Sequence, residues 1–258
     1  MPVRPSTSLP QAGESPAGVS ATLHRGPVLE VALLCAGLLE ELHPLLRQLA
    51  AHDPRPRWHR AAAAAALLRA AGTDPCRAMV LAARERAVDG DVHVRADGAD
   101  PDTAALRHAL RVSCVLRAAT AAGRVPAPPD AQRYVGEQRS SAVLLGAEPD
   151  DLPSCLEEVE ADVERVRLDA TGARPAGALS AVGPPGGRAP AGRRVPLPAL
   201  GDAPGPWRRA GELAGALLPG WARELFAPAP GELDGPQLRE ALGALPSLEA
   251  AAGFRPRP

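Results

Sequence analysis

Aromatic side chains are unusually scarce in this chain of 258 residues, and their scarcity limits how a core can be built. Phe, Trp and Tyr together make up 2% of the residues, although hydrophobic residues as a whole reach 45%. The core must therefore consist mainly of Leu, Val and Ala. Because Leu and Ala are strong helix formers, the composition predicts an all-α fold. No segment alternates regularly between apolar and polar residues, so little or no sheet is expected.

The distribution of Pro and Gly divides the chain into one helical domain and three less regular segments. Residues 1–26 are rich in Pro, Ser and Gly and are predicted to be disordered. Residues 27–226 form the predicted helical domain, within which residues 171–205 are a Pro- and Gly-rich loop. Residues 227–258 are expected to form a weakly structured C-terminal tail.

Local signals place most of the helices. Asp74 before Pro75, and Asp100 before Pro101, each combine an N-cap acid with a proline at the first helical position. Between Leu152 and Val166 the apolar residues recur every three or four positions, which predicts an amphipathic helix. The predicted helices span residues 27–51, 57–71, 75–88, 101–122, 130–146, 152–166 and 206–225.

Charge, cysteines and the N-terminus narrow the classes of function. A formal net charge of −1 offers no basic surface for phosphates, so nucleic acid is not an expected partner. The four cysteines are widely spaced without a Cys-x-x-Cys pair, which argues against a zinc site and predicts reduced thiols. The N-terminus lacks the apolar stretch of a signal peptide, and the run from Val28 to Leu39 is too short to span a bilayer. A cytoplasmic protein is expected, and the oligomeric state stays open.

An ordered series of seven short segments resembles a known family. The segments include a Tyr-x-x-Glu helix, then Leu-Leu-Gly, then an Asp-Leu-Pro helix start. They are Leu42 to Pro44, Arg57 to Ala61, Gly72 with Thr73, Val88 to Gly90, Leu106 to Ala109, Arg133 to Pro153, and Leu217 to Phe226. Together they resemble the catalytic domain of the MpaB-type oxygenases, a family that includes the rubber oxygenase, or latex clearing protein.

The resemblance implies an all-α fold that holds haem b between helices and oxygenates an apolar organic substrate. The family's haem-ligating histidine corresponds to Glu85, and a carboxylate is a poor replacement for imidazole on haem iron. By position, Arg57 and Arg60 would pair with the haem propionates. His108 matches a histidine of the family and, together with His93, is a candidate replacement ligand for the iron. No catalytic residue is assigned.

Structural roles compete with site roles at these positions. A lone histidine on an apolar helix face, such as His108, is more often a hydrogen-bonded structural residue than a metal ligand. Surface charge is the simpler explanation of Arg57 and Arg60. Tyr134 and Glu137 are expected to fix helix packing rather than to perform chemistry.

Three functional hypotheses remain open. The first is a divergent haem-dependent oxygenase or oxidoreductase, which the series of segments supports. The second is a homologue that binds no haem and acts as a binding or interaction module. The missing histidine ligand, the scarcity of aromatics and the Pro- and Gly-rich insert support this second hypothesis. Glu85 and Ala61 count against the first, and Arg60 stands where the rubber oxygenase has a lysine ligand. The third is a helical protein whose resemblance to the family is only compositional.

Overall fold

The structure is a computed structural model that describes residues 18–95, 102–172, 194–198, 200, 202–227 and 229–251. Within these residues the chain forms helices and one pair of two-residue strands, which confirms the predicted all-α fold. The helices are α1 (Val19–Leu23), α2 (Val28–Glu40), α3 (Pro44–His52), α4 (Arg57–Ala71), α5 (Pro75–Arg95), α6 (Asp102–Ala121), α7 (Pro128–Leu144), α8 (Leu156–Thr171), α9 (Gly205–Leu217), α10 (Gly220–Glu224), α11 (Gly235–Gly243) and α12 (Leu248–Ala251). Strands β1 (Val195–Pro196) and β2 (Phe226–Ala227) pair in parallel, with Val195 opposite Phe226.

Helix α2 is the central element because nearly its whole surface is apolar. Twelve of its thirteen residues are buried, and Gly37 is the partly exposed one. Helices α4, α6 and α9 pack around it and share one large hydrophobic cluster with it. A helix that is apolar on all sides is stable only when it is enclosed in this way. No helix of the described residues is both long enough and apolar enough to cross a membrane.

The predicted helix at residues 27–51 consists of two helices, α2 and α3. The break has a local cause, because Pro44 has no backbone N–H and cannot continue the hydrogen-bond pattern of α2. His43 is the N-cap of α3, where its Nδ1 accepts a hydrogen bond from the Leu46 amide at 3.5 Å. The Nε2 atom of the same ring lies 3.3 Å from the carboxylate of Asp169 in α8.

Several other helix boundaries follow from local chemistry. The α4 prediction of residues 57–71 is confirmed. Asp74 accepts a hydrogen bond from the Arg77 amide at 3.0 Å, so the predicted start of α5 is also confirmed. Helix α8 begins four residues later than predicted, because Pro153 holds Leu152 in an extended conformation. Asp100 lies outside the described residues.

Helix α1 lies within the segment predicted to be disordered, and for Val19–Leu23 that prediction is wrong. The helix is short, but Glu137 of α7 accepts hydrogen bonds from the amides of Val19 at 3.1 Å and Ser20 at 2.8 Å. These are amides that the first turn of a helix leaves without internal partners. The Glu137 side chain therefore fixes helix packing, as predicted. Residues 1–17 lie outside the described residues.

Helices α11 and α12 lie in the predicted weakly structured tail, and that prediction is wrong for Gly235–Ala251. Asp234 and Gln237 form a capping box that starts α11. The two helices and the turn between them bury Leu238, Leu242, Leu245 and Leu248 in the main core. Trp207 of α9 donates a hydrogen bond from Nε1 to the carbonyl of Leu248 at 3.2 Å. Of the predicted loop at residues 171–205, residues 173–193 lie outside the described residues.

Two adjoining cavities at the candidate functional site

The larger of two adjoining cavities lies mainly between α6 and α7, and we name it the His108 cavity. Its volume is about 280 Å³. Its lining includes Thr103, His108, Val112 and Val115 of α6 and Tyr134, Gln138, Ser141 and Ala142 of α7. His108, Val112 and Val115 are spaced by four and three positions, as are Tyr134, Gln138 and Ser141, so each helix turns one face towards the cavity.

His108 presents an unsatisfied polar atom at this cavity. The residue is 8% exposed, and its Nε2 has no hydrogen-bond partner. Burial lowers the pKa of His108 to about 4, and the nearby charges of Arg111 and Arg139 act in the same direction. The ring is therefore neutral at pH 7, and Nε2 is either a donor or an acceptor according to the tautomer. A buried polar atom without a partner is costly, so a ligand that formed a hydrogen bond with Nε2 would be stabilised by it.

Two other polar side chains of the His108 cavity already have partners. The hydroxyl of Tyr134 lies 3.0 Å from Nε2 of His24, whose Nδ1 lies 3.3 Å from the carbonyl of Leu68. Burial lowers the pKa of His24 to about 4, so the neutral ring donates to the carbonyl and accepts from the hydroxyl. Gln138 donates from Nε2 to Oγ of Ser20 at 2.8 Å. These bonds hold α1 and α7 together, which is the packing role predicted for Tyr134.

The smaller cavity lies at the first turn of α4, and we name it the arginine cavity. Its volume is about 70 Å³. Five arginines and three carboxylates are among its lining residues: Arg55, Arg57, Arg60, Arg107, Arg111, Glu40, Asp53 and Glu85. It shares Leu68, Arg107, Arg111 and Leu145 with the His108 cavity, so the two cavities have a common wall.

The structure brings together the positions that the resemblance assigns to a haem pocket. Arg57, Arg60, Ala61 and Glu85 come from α4 and α5, and all of them line the arginine cavity. His108 lines the neighbouring cavity instead. His93 belongs to α5, but its side chain lies outside the described part of the structure.

Glu85 is held in an ion pair rather than presented as a ligand. Its carboxylate lies 2.7 Å from Nη1 of Arg55. Nη2 of the same guanidinium lies 2.9 Å from the carboxylate of Asp53. Although burial opposes ionisation, the hydrogen bonds and charge of Arg55 lower the pKa of Asp53. The flanking Pro54 and Pro56 restrict this loop and keep Asp53 extended. Arg55, between the two prolines, pairs with both Asp53 and Glu85.

Arg57 is not a surface charge, and Arg60 is partly buried. The Arg57 side chain is 11% exposed, and burial lowers its pKa. Its Nη2 donates to Glu41 at 2.6 Å, but Nε and Nη1 have no hydrogen-bond partner. Nε of Arg60 is likewise buried without a partner. The surface-charge interpretation is therefore wrong for Arg57, and for Arg60 only the burial of Nε counts against it.

The residues at the family's haem position do not fit a haem. Glu85 is bound by Arg55, and the guanidinium of Arg60 has no lone pair to offer a metal. The arginine cavity of about 70 Å³ is far below the roughly 300–1,000 Å³ of pockets that hold drug-sized molecules. The His108 cavity, at about 280 Å³, lies at the lower edge of that range. Among the described residues, no group of three His, Cys, Asp or Glu is arranged to hold a metal ion.

Five charged residues of the arginine cavity were not identified as site residues from the sequence: Glu40, Asp53, Arg55, Arg107 and Arg111. Asp53 and Arg55 belong to a loop in which charged residues alternate with prolines, and such a loop has restricted side-chain directions. Arg107 and Arg111 are four residues apart on α6, a spacing that places two cations side by side. Both features were visible signals of a buried charged site.

The fold and the site define an all-α domain with ligand-sized and smaller cavities among its central helices. A family model described as "ER-bound oxygenase mpaB/B'/Rubber oxygenase, catalytic domain" matches residues 21–253, and the chain belongs to this family of oxygenase catalytic domains. The match includes α11 and α12, so these helices are part of the family domain. No curated protein and no solved structure gives a significant match to the chain.

Proposed function

We propose that this member of the oxygenase family binds a compact, largely apolar small molecule in the His108 cavity, and that it does so without haem. The observation that carries the proposal is the buried, neutral ring of His108, whose Nε2 has no partner beside about 280 Å³ of space. A cavity with this lining would recognise a molecule through one directed hydrogen bond and through contacts with its apolar wall.

The lining restricts the chemistry of the ligand. Val112, Val115 and Ala142 supply apolar surface, while Tyr134 and Gln138 are engaged by His24 and Ser20. The ligand therefore needs one hydrogen-bonding group for His108, with the remainder of the molecule apolar. A small phenol, alcohol or ketone meets these requirements.

The absence of haem in this proposal rests on the arginine cavity. The pair of Glu85 with Arg55 and the cationic Arg60 occupy the positions where the family places its haem ligands. A carboxylate already neutralised by a guanidinium has little affinity left for iron, and an arginine has none.

A haem-b-dependent oxygenase is the second candidate function, and one observation favours it. A neutral imidazole with an unengaged Nε2 is the donor that haem iron most often takes from a protein, and His108 has this form. The His108 cavity would have to widen to accept the macrocycle. The substrate in this case would also be an apolar organic molecule.

A haem titration separates the two candidates. We expect that the protein, produced with added haem precursor and then titrated with haemin, shows no stoichiometric haem band in its absorption spectrum. An intense band near one haem per chain that disappears in His108→Ala, but persists in His52→Ala, would establish the second candidate and overturn the first. His52 is a suitable control because its ring bonds to Gln48 on the surface of α3.

Small-molecule binding is tested directly with phenol and cyclohexanol as probes. We expect each probe to raise the melting temperature saturably, because a ligand that binds only the folded state stabilises it. His108→Ala should weaken binding, and Ala142→Leu should do so by filling space. His52→Ala should bind the probes like the unchanged protein. Equal stabilisation of all four proteins would contradict a site at His108.

A further inference from the structure

The arginine cavity contains buried donors that the protein itself does not use. Nε and Nη1 of Arg57 and Nε of Arg60 are inaccessible and have no hydrogen-bond partner. The two arginines are three residues apart in the first turn of α4, so their side chains emerge from the same side of the helix. Buried donors on charged groups are the polar atoms that most require a partner.

The carboxylates of this region are already engaged by other groups. Asp53 and Glu85 are both bound by Arg55, at 2.9 and 2.7 Å. Glu41 accepts from Nη2 of Arg57, which leaves the other two nitrogens of that guanidinium unsatisfied. Glu40 lies 3.6 Å from Nε of Arg107. The cavity is lined by five arginines and three acids, so cationic groups are in excess there.

The start of α4 adds to this positive potential. The helix has fifteen residues, its N-cap Pro56 makes no side-chain cap, and its first turn contains no acidic residue. The amino end of a helix carries a partial positive charge, and arginines placed there are unfavourable unless an anion is nearby. Unused guanidinium donors and the helix end both favour a negative charge at the same place.

We propose that the arginine cavity binds a small oxyanion, held by the unused N–H groups of Arg57 and Arg60. The volume of about 70 Å³ is several times what one water requires, but it is too small for a drug-sized molecule. A free carboxylate such as acetate and an inorganic phosphate share the required chemistry. The oxyanion would not contact His108, so its binding can be tested separately from binding in the His108 cavity, although the two cavities share a wall.

Competition between salts at constant ionic strength tests the proposal. The purified full-length chain is titrated with sodium acetate and with sodium phosphate against sodium chloride. The tryptophan fluorescence, to which Trp58 next to Arg57 contributes together with two other tryptophans, is followed with the melting temperature. We expect one of the two oxyanions to act saturably where chloride does not, and the more effective one identifies the class. Equal effects of all three salts would mean that the cavity does not select an oxyanion and would overturn the proposal.

Substitutions locate the site. Arg60→Met should weaken oxyanion binding by about tenfold or more, because a charged hydrogen-bond donor is lost. Arg209→Met is the matched control, since Arg209 is 52% exposed on α9, and it should bind the oxyanion normally. His108→Ala should also bind it normally, so a failure of the His108 site is distinguishable from a failure of this one. Unchanged binding by Arg60→Met would overturn the proposal, and if that variant does not fold, the salt comparison on the unchanged chain decides alone.

Discussion

At the scale of single residues, burial sets the protonation state of two histidines. The pKa values of His24 and His108 are both lowered to about 4, mainly because burial disfavours the charged ring. Positive neighbours, Arg69 for His24 and Arg111 for His108, act in the same direction. Both rings are consequently neutral at pH 7, which suits the bond between His24 and Tyr134 and leaves Nε2 of His108 able to bind a neutral ligand.

The lowered pKa values predict a loss of stability in mild acid. Each histidine has a pKa of about 4 in the folded chain and an ordinary value of 6.5 when unfolded, so the unfolded chain binds more protons between these values. The stability that the folded chain has while both buried rings are neutral is complete above pH 6.5, and it is lost as the pH falls to about 4. The free energy of unfolding should decrease by on the order of 3 kcal/mol for each histidine. Urea denaturation across this pH window measures the decrease.

The contribution of His108 to the pH dependence of stability can be isolated by substitution. In His108→Gln the free energy of unfolding should depend less steeply on pH within the same window, because one titrating ring is gone. His52→Gln should keep the full dependence, since that ring is at the surface of α3. An identical pH dependence in both variants would show that His108 is not the buried base described above.

At the scale of elements, glycines show where helices approach other segments closely. A Cβ atom on Gly215 of α9 would lie 2.8 Å from Cβ of Pro230, a ring that cannot rotate away. A Cβ atom on Gly37 of α2 would lie 3.6 Å from Cδ of Arg57, which is an ordinary contact. The first glycine is therefore required by packing, whereas the second is replaceable.

This difference predicts opposite effects of the same substitution. Gly215→Ala should destabilise the protein by about 1–3 kcal/mol, because the added methyl group overpacks a tight contact. Gly37→Ala should be neutral or stabilising by up to about 1 kcal/mol, because alanine favours helix over glycine. Thermal unfolding followed by circular dichroism measures both. Equal destabilisation by the two substitutions would contradict the packing difference.

At the scale of the whole molecule, Arg69 connects distant parts of the chain. Its Nη1 and Nη2 atoms bond to both carboxylate oxygens of the buried Glu30 at 2.8 Å. It also bonds to the carbonyls of His24 and Gly26, and to Glu249 of α12 at 2.7 Å. One guanidinium in α4 thus joins the loop after α1, the central helix α2 and the C-terminal helix.

Burial decides how much the ion pairs of Arg69 with Glu30 and with Glu249 each contribute to stability. Glu30→Gln should reduce the free energy of unfolding by up to about 3 kcal/mol, because it removes the buried charge that the partly buried guanidinium of Arg69 is paired with. Glu249→Gln is the matched control: its side chain is 58% exposed, and it should cost less than about 1 kcal/mol. Chemical denaturation of the two variants gives both values. A larger loss for Glu249→Gln would contradict this assignment.

Much of the helical architecture was predictable from short-range signals. The bounds of α4 and the start of α5 depend on residues within a few positions of each other, such as Asp74 and Arg77. The end of the helix before Pro44 was missed, although the proline is itself a local signal. The family, too, was recognisable from ordered short segments, and the match over residues 21–253 confirms it.

The candidate site was predictable only in part. Arg57, Arg60 and Glu85 were expected near one another from the resemblance, and the structure places all three around the arginine cavity. The residues that bind these three side chains, and so change what they can do chemically, were not predicted from the sequence. Arg55, which binds Glu85, is thirty residues away in sequence, and nothing in either segment alone indicates the pair.

Local chemistry was thus sufficient for where helices begin and for the kind of core they build, because caps, prolines and apolar spacing act within one or two turns. The helices at the two ends of the described chain, α1 and α12, depend on long-range contacts. The bond from Val19 to Glu137 joins residues 118 positions apart, and Leu248 is buried only because α9 lies beneath it. The unsatisfied atoms of Arg57, Arg60 and His108 likewise follow from packing, since burial depends on what the whole fold places around a side chain.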